Sequence, residues 1–345
     1  MRLSNKRLRA IRIGQGLFAA FLAMIVAIIL LDATSPIAKL LREERPVVGL
    51  LSVRSKEQGR VVPPALYLLV YGPVARTADL VLIPASTRLP KWMRRWNRRT
   101  LADVYGNAYV PEGNIPRASR AMGEAALEFL TETAPWPKGA GHPDKAFRIQ
   151  TRLSGGVRPG FPGEMRTWIA ARARSPFLWL RLFLATPTIL FDEASGLGAY
   201  DMLLLARELR RLGPRRFHLS QLADQRLAGP LLGRVFARAA GLPPPSGPAT
   251  VEVLNAAGTA GVALKATKLL RLRGFDVVHF GNARSRERRV RVIDRGGQTT
   301  AARSILEVLG CPGTDVLTSL EHRPRAGVTV VLGREYTRCV HLATR

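Results

Sequence analysis

Two short segments of the sequence combine residue types that could hold an anion. The first runs from Lys91 to Arg99, where helical spacing would place Trp92 and Trp96 on one face, with Arg95 and Arg99 beside them. Such a face suits a membrane interface or the pyrophosphate of a lipid. Indole rings are favoured at the boundary between lipid headgroups and acyl chains, and guanidinium groups bind phosphate. The alternative is a solvated basic loop whose tryptophans pack on the domain.

The second segment is a turn in which Gly258 and Gly261 separate an apolar run from a helical pattern. A strand-to-helix turn of this kind could direct backbone N–H groups at an anion near the start of the helix. A tight turn with close helix packing explains the same glycines, and we favour it. A dinucleotide site is not expected, because Ala256 replaces the first glycine of the fingerprint and the next strand ends without an acidic residue.

Other reactive residue types are few. Cys311 and Cys339 lie near the end of the chain, where an oxidising compartment would permit a disulfide, although free or merely buried thiols are the default expectation. The 5 histidines are scattered and no CxxC spacing occurs. We therefore expect no zinc site and no cofactor.

The charge of the chain is strongly positive, with a formal net charge of +28 at pH 7. In a cytosolic protein this excess would indicate nucleic acid, because phosphates attract lysine and arginine. The N-terminus argues for another location, where the polyanions are phospholipid headgroups, phosphate-bearing glycans and lipid-linked pyrophosphates. The arginines are spread along the chain, which also fits a bias in genomic base composition.

The N-terminus predicts a single-pass membrane anchor. Residues 1–12 are expected to form a basic cytoplasmic tail. They precede an uncharged apolar run over 13–31 that is long enough to cross a bilayer. Basic residues beside a first span stay in the cytoplasm, so the later domains should be extracytoplasmic, at the bacterial cytoplasmic (inner) membrane. A cleaved signal peptide is the alternative, but the run is long and poorly suited to cleavage. A buried soluble helix is disfavoured because the run is apolar on every face.

Residues 32–63 are predicted to form a juxtamembrane linker, and residues 64–240 a first domain. Apolar runs over 67–71 and 79–83 predict a β-hairpin, and residues 217–219 a strand. Helical patterns occupy residues 115–133, 168–184 and 200–212, and a high density of glycine and proline predicts loops over 135–163. The proline-rich segment 241–248 is the clearest boundary, because neither helix nor strand can persist there.

Beyond this boundary strands and helices alternate, which predicts an α/β layer. We expect a strand, a helix, two strands, a helix and a final strand, over residues 250–254, 260–273, 276–280, 288–293, 299–309 and 328–332. Residues 338–345 would form a tail.

This last segment resembles the LytR C-terminal domain over residues 249–337. The resemblance rests on the run from Val251 to Gly261 before a helix, then on Gly274 to Val277, and on later pieces in the same order: Asn282-Ala283, the Gly297 turn and the run from Val328 to Tyr336. Ala256 and Ala257 depart from the family, which more often has glycine and a hydroxyl residue there.

The preceding segment resembles the catalytic domain of the LytR-CpsA-Psr family over residues 64–224, on the segments 82–88, 101–109 and 201–209. Members of that family are membrane-anchored and transfer glycans from a polyprenyl pyrophosphate carrier to the cell wall. The resemblance implies anion or pyrophosphate binding by Thr87, Arg88, Arg152, Arg158 and Arg166.

The sequence departs from that family where the family holds its metal. Transfer needs carboxylates for an ion that neutralises the pyrophosphate, but Pro64 or Ala65 and Ser86 stand where acids are expected. We therefore expect a degenerate, non-catalytic domain that keeps anion binding. The alternative is an active glycan transferase that uses Mg²⁺ and other acids, such as Asp79, Asp103 or Glu164.

Together these patterns predict an α/β protein with an N-terminal transmembrane helix, a degenerate α/β domain of LytR-CpsA-Psr type and a small C-terminal α/β domain of LytR type. We expect it to bind or help assemble envelope or wall polymers. Its expected partners are the membrane and a polyprenyl pyrophosphate lipid or anionic glycan, with no nucleic acid. A basic DNA-binding regulator is the second alternative, but it rests on charge alone, since no helix-turn-helix is recognisable.

Overall fold

The computed structural model describes residues 18, 21–22, 24–55, 62–93, 96, 99–110, 114–133, 147–153, 162–175, 198–213, 216–242 and 249–343, of which 147–153 by backbone alone. Strands in these ranges form one 10-stranded mixed sheet with helices packed on it. The predicted α/β class is therefore confirmed. The end of the predicted helical segment 168–184 lies outside the described residues beyond position 175.

The first half of the sheet contains β1 (Val47–Ser55), β2 (Ala65–Gly72), β3 (Thr77–Ile83), β4 (Phe147–Leu153) and β5 (Phe217–Gln221). β1, β2 and β3 form an antiparallel meander that includes the predicted hairpin. β4 joins β1 and β5 joins β3, both in parallel. The carboxyl ends of β1, β3, β4 and β5 therefore lie at one edge of the sheet, called here the carboxyl edge. The opposite edge is called the amino edge.

The N-terminal segment contains two helices, α1 (Met24–Thr34) and α2 (Pro36–Arg42), which meet at 74°. Among the described residues no single helix is long and apolar enough to cross a membrane. The bent pair passes that test together, by length and composition only. Much of the predicted span over 13–31 lies outside the described residues, so the anchor stays a prediction.

The structure differs from the predicted linker over residues 32–63, because the chain is folded from Pro36 to Ser55. Ser35 caps α2 by accepting the N–H of Ala38, and Pro36 occupies the first turn. β1 then pairs with β2 on one side and β4 on the other. The charged stretch suggested a spacer, but Ile37 is buried in the core. Similarly, β4 lies within residues 135–163, where loops were predicted.

Helices cover both faces of this half, which explains why β2 and β3 are buried along nearly their whole length. One face packs against α3 (Leu101–Tyr109), α4 (Ile115–Thr133) and α7 (Ala228–Ala239). The other face packs against α2, α5 (Pro162–Arg174) and α6 (Ala199–Arg211). Two apolar cores, one on each face, hold the strand ends in place.

The second half of the sheet contains β6 (Thr250–Asn255), β7 (Asp276–Asn282), β8 (Arg291–Asp294), β9 (Val316–Thr318) and β10 (Val328–Leu332). Its core packs against α8 (Val262–Leu272) and α9 (Thr299–Leu309). The six predicted elements of this region are all present within a few residues of their expected bounds. The strand β9 was not predicted.

Cys311 and Cys339 form a disulfide, so the default expectation of free thiols was wrong. Cys311 follows α9, and Cys339 directly precedes the short helix α10 (Val340–Ala343). Both cysteines are buried in the core of this half. Sequence spacing could not show that the chain returns through β10 and brings the two residues together.

The two halves share one sheet, because β5 pairs in parallel with β9 through Leu219 and Ser220. β8 is parallel to β9 but antiparallel to β10, which is parallel to β6. β6 and β10 therefore run opposite to β3, and their carboxyl ends lie at the amino edge. The domain boundary at 241–248 stays a prediction, and residues 243–248 lie outside the described part of the chain.

Candidate functional site

The loop that follows β3 is tied to the start of α3 by backbone hydrogen bonds. The N–H of Leu101 donates to the carbonyl of Thr87 at 3.1 Å, and the N–H of Leu89 donates to that of Arg99 at 2.9 Å. Thr100 and Asp103 form a capping box at the first turn of α3. These contacts hold Thr87 and Arg88 at the carboxyl edge, where Thr87 is buried and Arg88 is exposed.

The two tryptophans of this loop do not share a helical face. Trp96 packs on the core, and its Nε1–H donates to Glu128 Oε2 at 2.9 Å. Trp92 is 50% exposed. Residues 91–93 are turn or irregular and Trp96 lies in a 3₁₀ turn, so the α-helix implied by the spacing does not run through the described residues of this loop. Met93 is buried in the core. Arg95 lies outside the described residues.

Arg54 is a buried arginine at this edge that the sequence analysis missed. It is 7% exposed, and its Nη1 donates to the hydroxyl of Tyr105 at 2.6 Å. The guanidinium carbon also lies 5.9 Å from the centroid of the Tyr105 ring. The signal was present, because the apolar run from Val47 to Val53 resembles a strand, but it lay in the supposed linker.

The strand register places two of the arginines side by side. Arg54 pairs with Arg152 of β4, and through β2 this level of the sheet corresponds to Ala85, just beyond β3. At roughly 4.8 Å per strand, Arg54 lies about 10 Å from that point. Thr87, Arg88, Arg152 and the unpredicted Arg54 thus share the carboxyl edge. Arg158 lies outside the described residues.

Arg166 lies elsewhere, in α5 at a cleft between that helix and the second half of the sheet. The cleft has a volume of about 790 Å³ and contains several arginines. Each has a carboxylate nearby: Arg166 pairs with Asp315, Arg289 with Glu164, and Arg288 and Arg338 with Glu335. Because these acids offset the positive charge, the cleft is a weaker anion site than the carboxyl edge.

The three acids needed by an active transferase do not come together. Asp79 is buried near the amino edge, and Glu164 lies on α5 with its Oε1 3.5 Å from Arg289 Nη1. Asp103 is at the carboxyl edge, where its Oδ2 accepts the N–H of Thr100 at 2.9 Å. Across the described ranges, no group of three or more acidic, histidine or cysteine side chains is arranged to hold a metal ion.

Asp79 belongs to a buried polar junction between the two halves. Its Oδ1 accepts from Arg238 Nη1 at 2.5 Å, and Arg238 also donates to Thr299 of α9 at 3.3 Å. Burial raises the pKa of Asp79 to about 7, although Arg238 and Arg303 oppose the shift. The carboxyl group is thus desolvated by the first half and bound by an arginine that also contacts the second.

His218 lies opposite Asp79 in the sheet register. Arg303 reaches it from α9, with Nη2 3.1 Å from His218 Nδ1 and 3.1 Å from the carbonyl oxygen of Phe217. Burial, with help from Arg238, Arg303 and Arg216, lowers the pKa of His218 to about 2. The ring therefore stays neutral where the two halves meet.

The turn with Gly258 and Gly261 lies at the amino edge, after β6. Both glycines have positive φ, 78° and 79°, a conformation that disfavours other residues. Asn255 Oδ1 accepts the N–H groups of Ala257 and Gly258 at 3.1 and 3.3 Å. These two donors are already engaged, which favours the tight turn, and anion binding here stays a prediction.

Residues 249–336 match the family model described as LytR cell envelope-related transcriptional attenuator. The match confirms the resemblance of the C-terminal segment, which is a cell-envelope-related domain of LytR type. No family match extends to the preceding residues, so their LytR-CpsA-Psr resemblance stays a prediction. Comparison with curated proteins and with solved structures gave no match.

Proposed function

We propose that this protein is anchored in the bacterial cytoplasmic membrane and binds a polyprenyl pyrophosphate lipid or an anionic envelope glycan outside the cytoplasm. The observation that carries the proposal is the carboxyl edge, where Arg54 and Arg88 lie near the start of α3. In the proposal, the LytR-type module at residues 249–336 links this edge to the cell envelope.

Two observations support a location outside the cytoplasm. The disulfide between Cys311 and Cys339 is of a kind that persists in oxidising compartments. In addition, most of the described residues of the apolar N-terminal segment are exposed, including Phe18 at 68% and Leu30 at 60%. A large exposed apolar surface needs a partner, and a bilayer around the predicted span would supply it.

The carboxyl edge suits an anion because it combines one arginine that is already held in place with one that is exposed. Arg54 is held by the hydroxyl and ring of Tyr105, so it would lose little side-chain freedom on binding. Arg88 is exposed and available to close on a ligand. Guanidinium groups bind phosphate oxygens in a bidentate way, so arginine is well suited to a pyrophosphate.

The positions of the acids support binding without transfer. Metal-assisted release of a pyrophosphate leaving group needs carboxylates next to the bound phosphates. Asp79 is engaged with Arg238 near the other edge of the sheet, and Glu164 pairs with Arg289 on the opposite face. Asp103 lies at the carboxyl edge but is engaged in capping α3. It is therefore the acid through which an active transferase remains the alternative to be tested.

The test is a binding and turnover assay on the full chain in detergent. A polyprenyl pyrophosphate and inorganic pyrophosphate are titrated against wild type, Arg88→Ala and the matched control Arg338→Ala, which removes an exposed arginine from the cleft. We expect Arg88→Ala to weaken binding of the lipid about tenfold, the loss of one charge-assisted hydrogen bond, and Arg338→Ala to leave it unchanged. Equal affinity of all three proteins would contradict the site.

Two further outcomes decide between the alternatives. Release of lipid pyrophosphate that requires Mg²⁺ and is lost in Arg88→Ala or Asp103→Asn would show an active transferase. Tighter binding of duplex DNA than of either pyrophosphate ligand, at physiological salt, would favour the basic regulator. A reporter fused after Arg345 that is active only in the cytoplasm would refute the topology.

A further inference from the structure

The exit of the predicted anchor is fixed rigidly to the folded domain. Asp201, a buried residue in the first turn of α6, accepts the hydroxyl of Ser35 at 2.5 Å and the N–H of Ile37 at 3.2 Å. Its second oxygen accepts the N–H of Gly198 at 2.9 Å. Tyr200 adds a hydrogen bond from its hydroxyl to Asp32 at 3.1 Å. The junction between α1 and α2 is therefore part of the fold and not a loose tether.

The topology places this junction on the side of α6 that points towards the carboxyl edge. α6 leads into β5, so its last turn must lie near the start of that strand, at the amino edge. The contact of Glu208 with the hydroxyl of Tyr71, 2.8 Å long, agrees, because Tyr71 lies at the amino-edge end of β2. Asp201 is seven residues earlier, about 10 Å along the helix towards the carboxyl edge. α2 then returns from Ser35 to the start of β1.

The loop after β3 ends at the same edge. From Arg88 to Arg99, its exposed described residues are one aromatic and three basic side chains, namely Trp92, Arg88, Lys91 and Arg99. Over the residues that the structure describes, none of these three basic side chains has a carboxylate within salt-bridge distance. The loop therefore presents unneutralised positive charge and a half-exposed indole on the side of the molecule from which α1 leaves.

We infer that the carboxyl edge of the sheet rests on the anionic surface of the membrane that holds the anchor, with Arg88, Lys91, Trp92 and Arg99 as the contact. The inference deepens the proposed function and rests on its membrane anchor. Tryptophan is favoured at the boundary between headgroups and acyl chains, and basic side chains are attracted to anionic headgroups. Because Asp201 fixes the exit of α1, the anchor cannot insert without bringing this edge towards the bilayer.

The orientation also selects between the proposed ligands. Arg88 and the level of Arg54 would open towards the headgroup layer, so a pyrophosphate carried by a lipid could reach them while its acyl chain stays in the bilayer. A wall-linked glycan would have to approach from the far side of the domain. The membrane-facing edge therefore favours the lipid-linked pyrophosphate as ligand.

The experiment measures distance to the lipid in the full chain, reconstituted in nanodiscs of phosphatidylglycerol and phosphatidylcholine. A fluorophore is attached to a single added cysteine, as Trp92→Cys or as the exposed control Ala260→Cys at the amino edge, with the native disulfide kept oxidised. Headgroup-labelled quenching lipids should quench the first label severalfold more strongly than the second. Equal quenching at both positions, or none at position 92, would overturn the inference.

Two controls separate this inference from the proposed function. Resistance to alkaline extraction reports the anchor alone, and its failure would remove the proposed membrane location, whatever the quenching. Ser35→Ala and Asp201→Asn should loosen the junction, so that quenching at position 92 falls while the protein stays in the nanodisc. Unchanged quenching in both variants, with correct folding confirmed by circular dichroism, would show that the junction does not set the orientation.

Discussion

Replacing Asp79 by asparagine tests how the buried junction between the two halves of the sheet responds to pH. Burial raises the pKa of this carboxyl from 3.8 to about 7. The folded state then binds the proton more tightly than the unfolded state, so this contribution to stability is complete below about pH 4 and is lost as pH rises through 7. A shift of about three units corresponds to roughly 4 kcal/mol at most.

Asparagine keeps an oxygen for Arg238 but does not ionise. The free energy of unfolding of Asp79→Asn minus that of wild type should therefore rise by up to roughly 4 kcal/mol between pH 4 and pH 8. Urea unfolding of the full chain in detergent, followed by tryptophan fluorescence at each pH, measures this difference. Asp276→Asn, at an exposed position of β7, controls for the loss of one negative charge.

The opposite outcome would be equally informative. Arg238 Nη1 is 2.5 Å from the Asp79 carboxylate, and this ion pair opposes the effect of burial. Among the described residues, Asp79 Oδ2 has no hydrogen-bond partner. If the difference between variant and wild type falls as pH rises, the ion pair outweighs desolvation. The assignment of Asp79 as a buried acid that prefers its proton would then be wrong.

Three further predictions concern stability and folding. Burial and nearby arginines lower the pKa of His218 to about 2, so the stability that the neutral ring contributes is lost as pH falls below 6.5. The free energy of unfolding of His218→Asn should therefore rise relative to that of wild type between pH 7 and pH 4 in the same urea assay. The double variant Cys311→Ser, Cys339→Ser should have a free energy of unfolding about 2–4 kcal/mol lower than wild type, and a reductant should destabilise wild type but not this variant. Residues 249–345 should fold alone with cooperative thermal unfolding, because they carry a complete core, and a gradual, non-cooperative melt would contradict this.

The C-terminal elements could be predicted because each of them, apart from β9, carries a clear periodicity of its own, even where its pairing strand is distant in sequence. β6 and α8, for example, are joined by a glycine turn, and the periodicity of each element is undisturbed by long loops. β9 was missed because three residues show no alternation. β9 joins the two halves of the sheet by pairing with β5. The paired residues are about a hundred positions apart, so no local sequence pattern predicts this contact.

The failures in the first half have the same physical origin. β1 and β4 pair with each other across about a hundred residues, and each begins in a stretch whose charge or glycine content suggested irregular structure. Arg54 was missed with β1. The burial of individual loop residues was also not predictable from the sequence. The spacing of Trp92 and Trp96 suggested the same environment for both, but only Trp96 contacts Glu128 and the core. Thr87 and Arg88 follow the end of β3, in agreement with the strand predicted over 79–83, and their role in binding stays a prediction.

The direction of the strands also limits what the two candidate anion sites can share. Arg88 follows β3 at the carboxyl edge, whereas Gly258 follows β6, which runs the other way and ends at the amino edge. A strand of 7 residues such as β3 spans about 23 Å, so a single pyrophosphate cannot touch both places. In the inferred orientation, which has the carboxyl edge at the bilayer, the glycine turn would face away from the membrane. A ligand that engaged both ends would have to be a lipid-linked polymer, with its pyrophosphate at the membrane and its glycan extended along the protein.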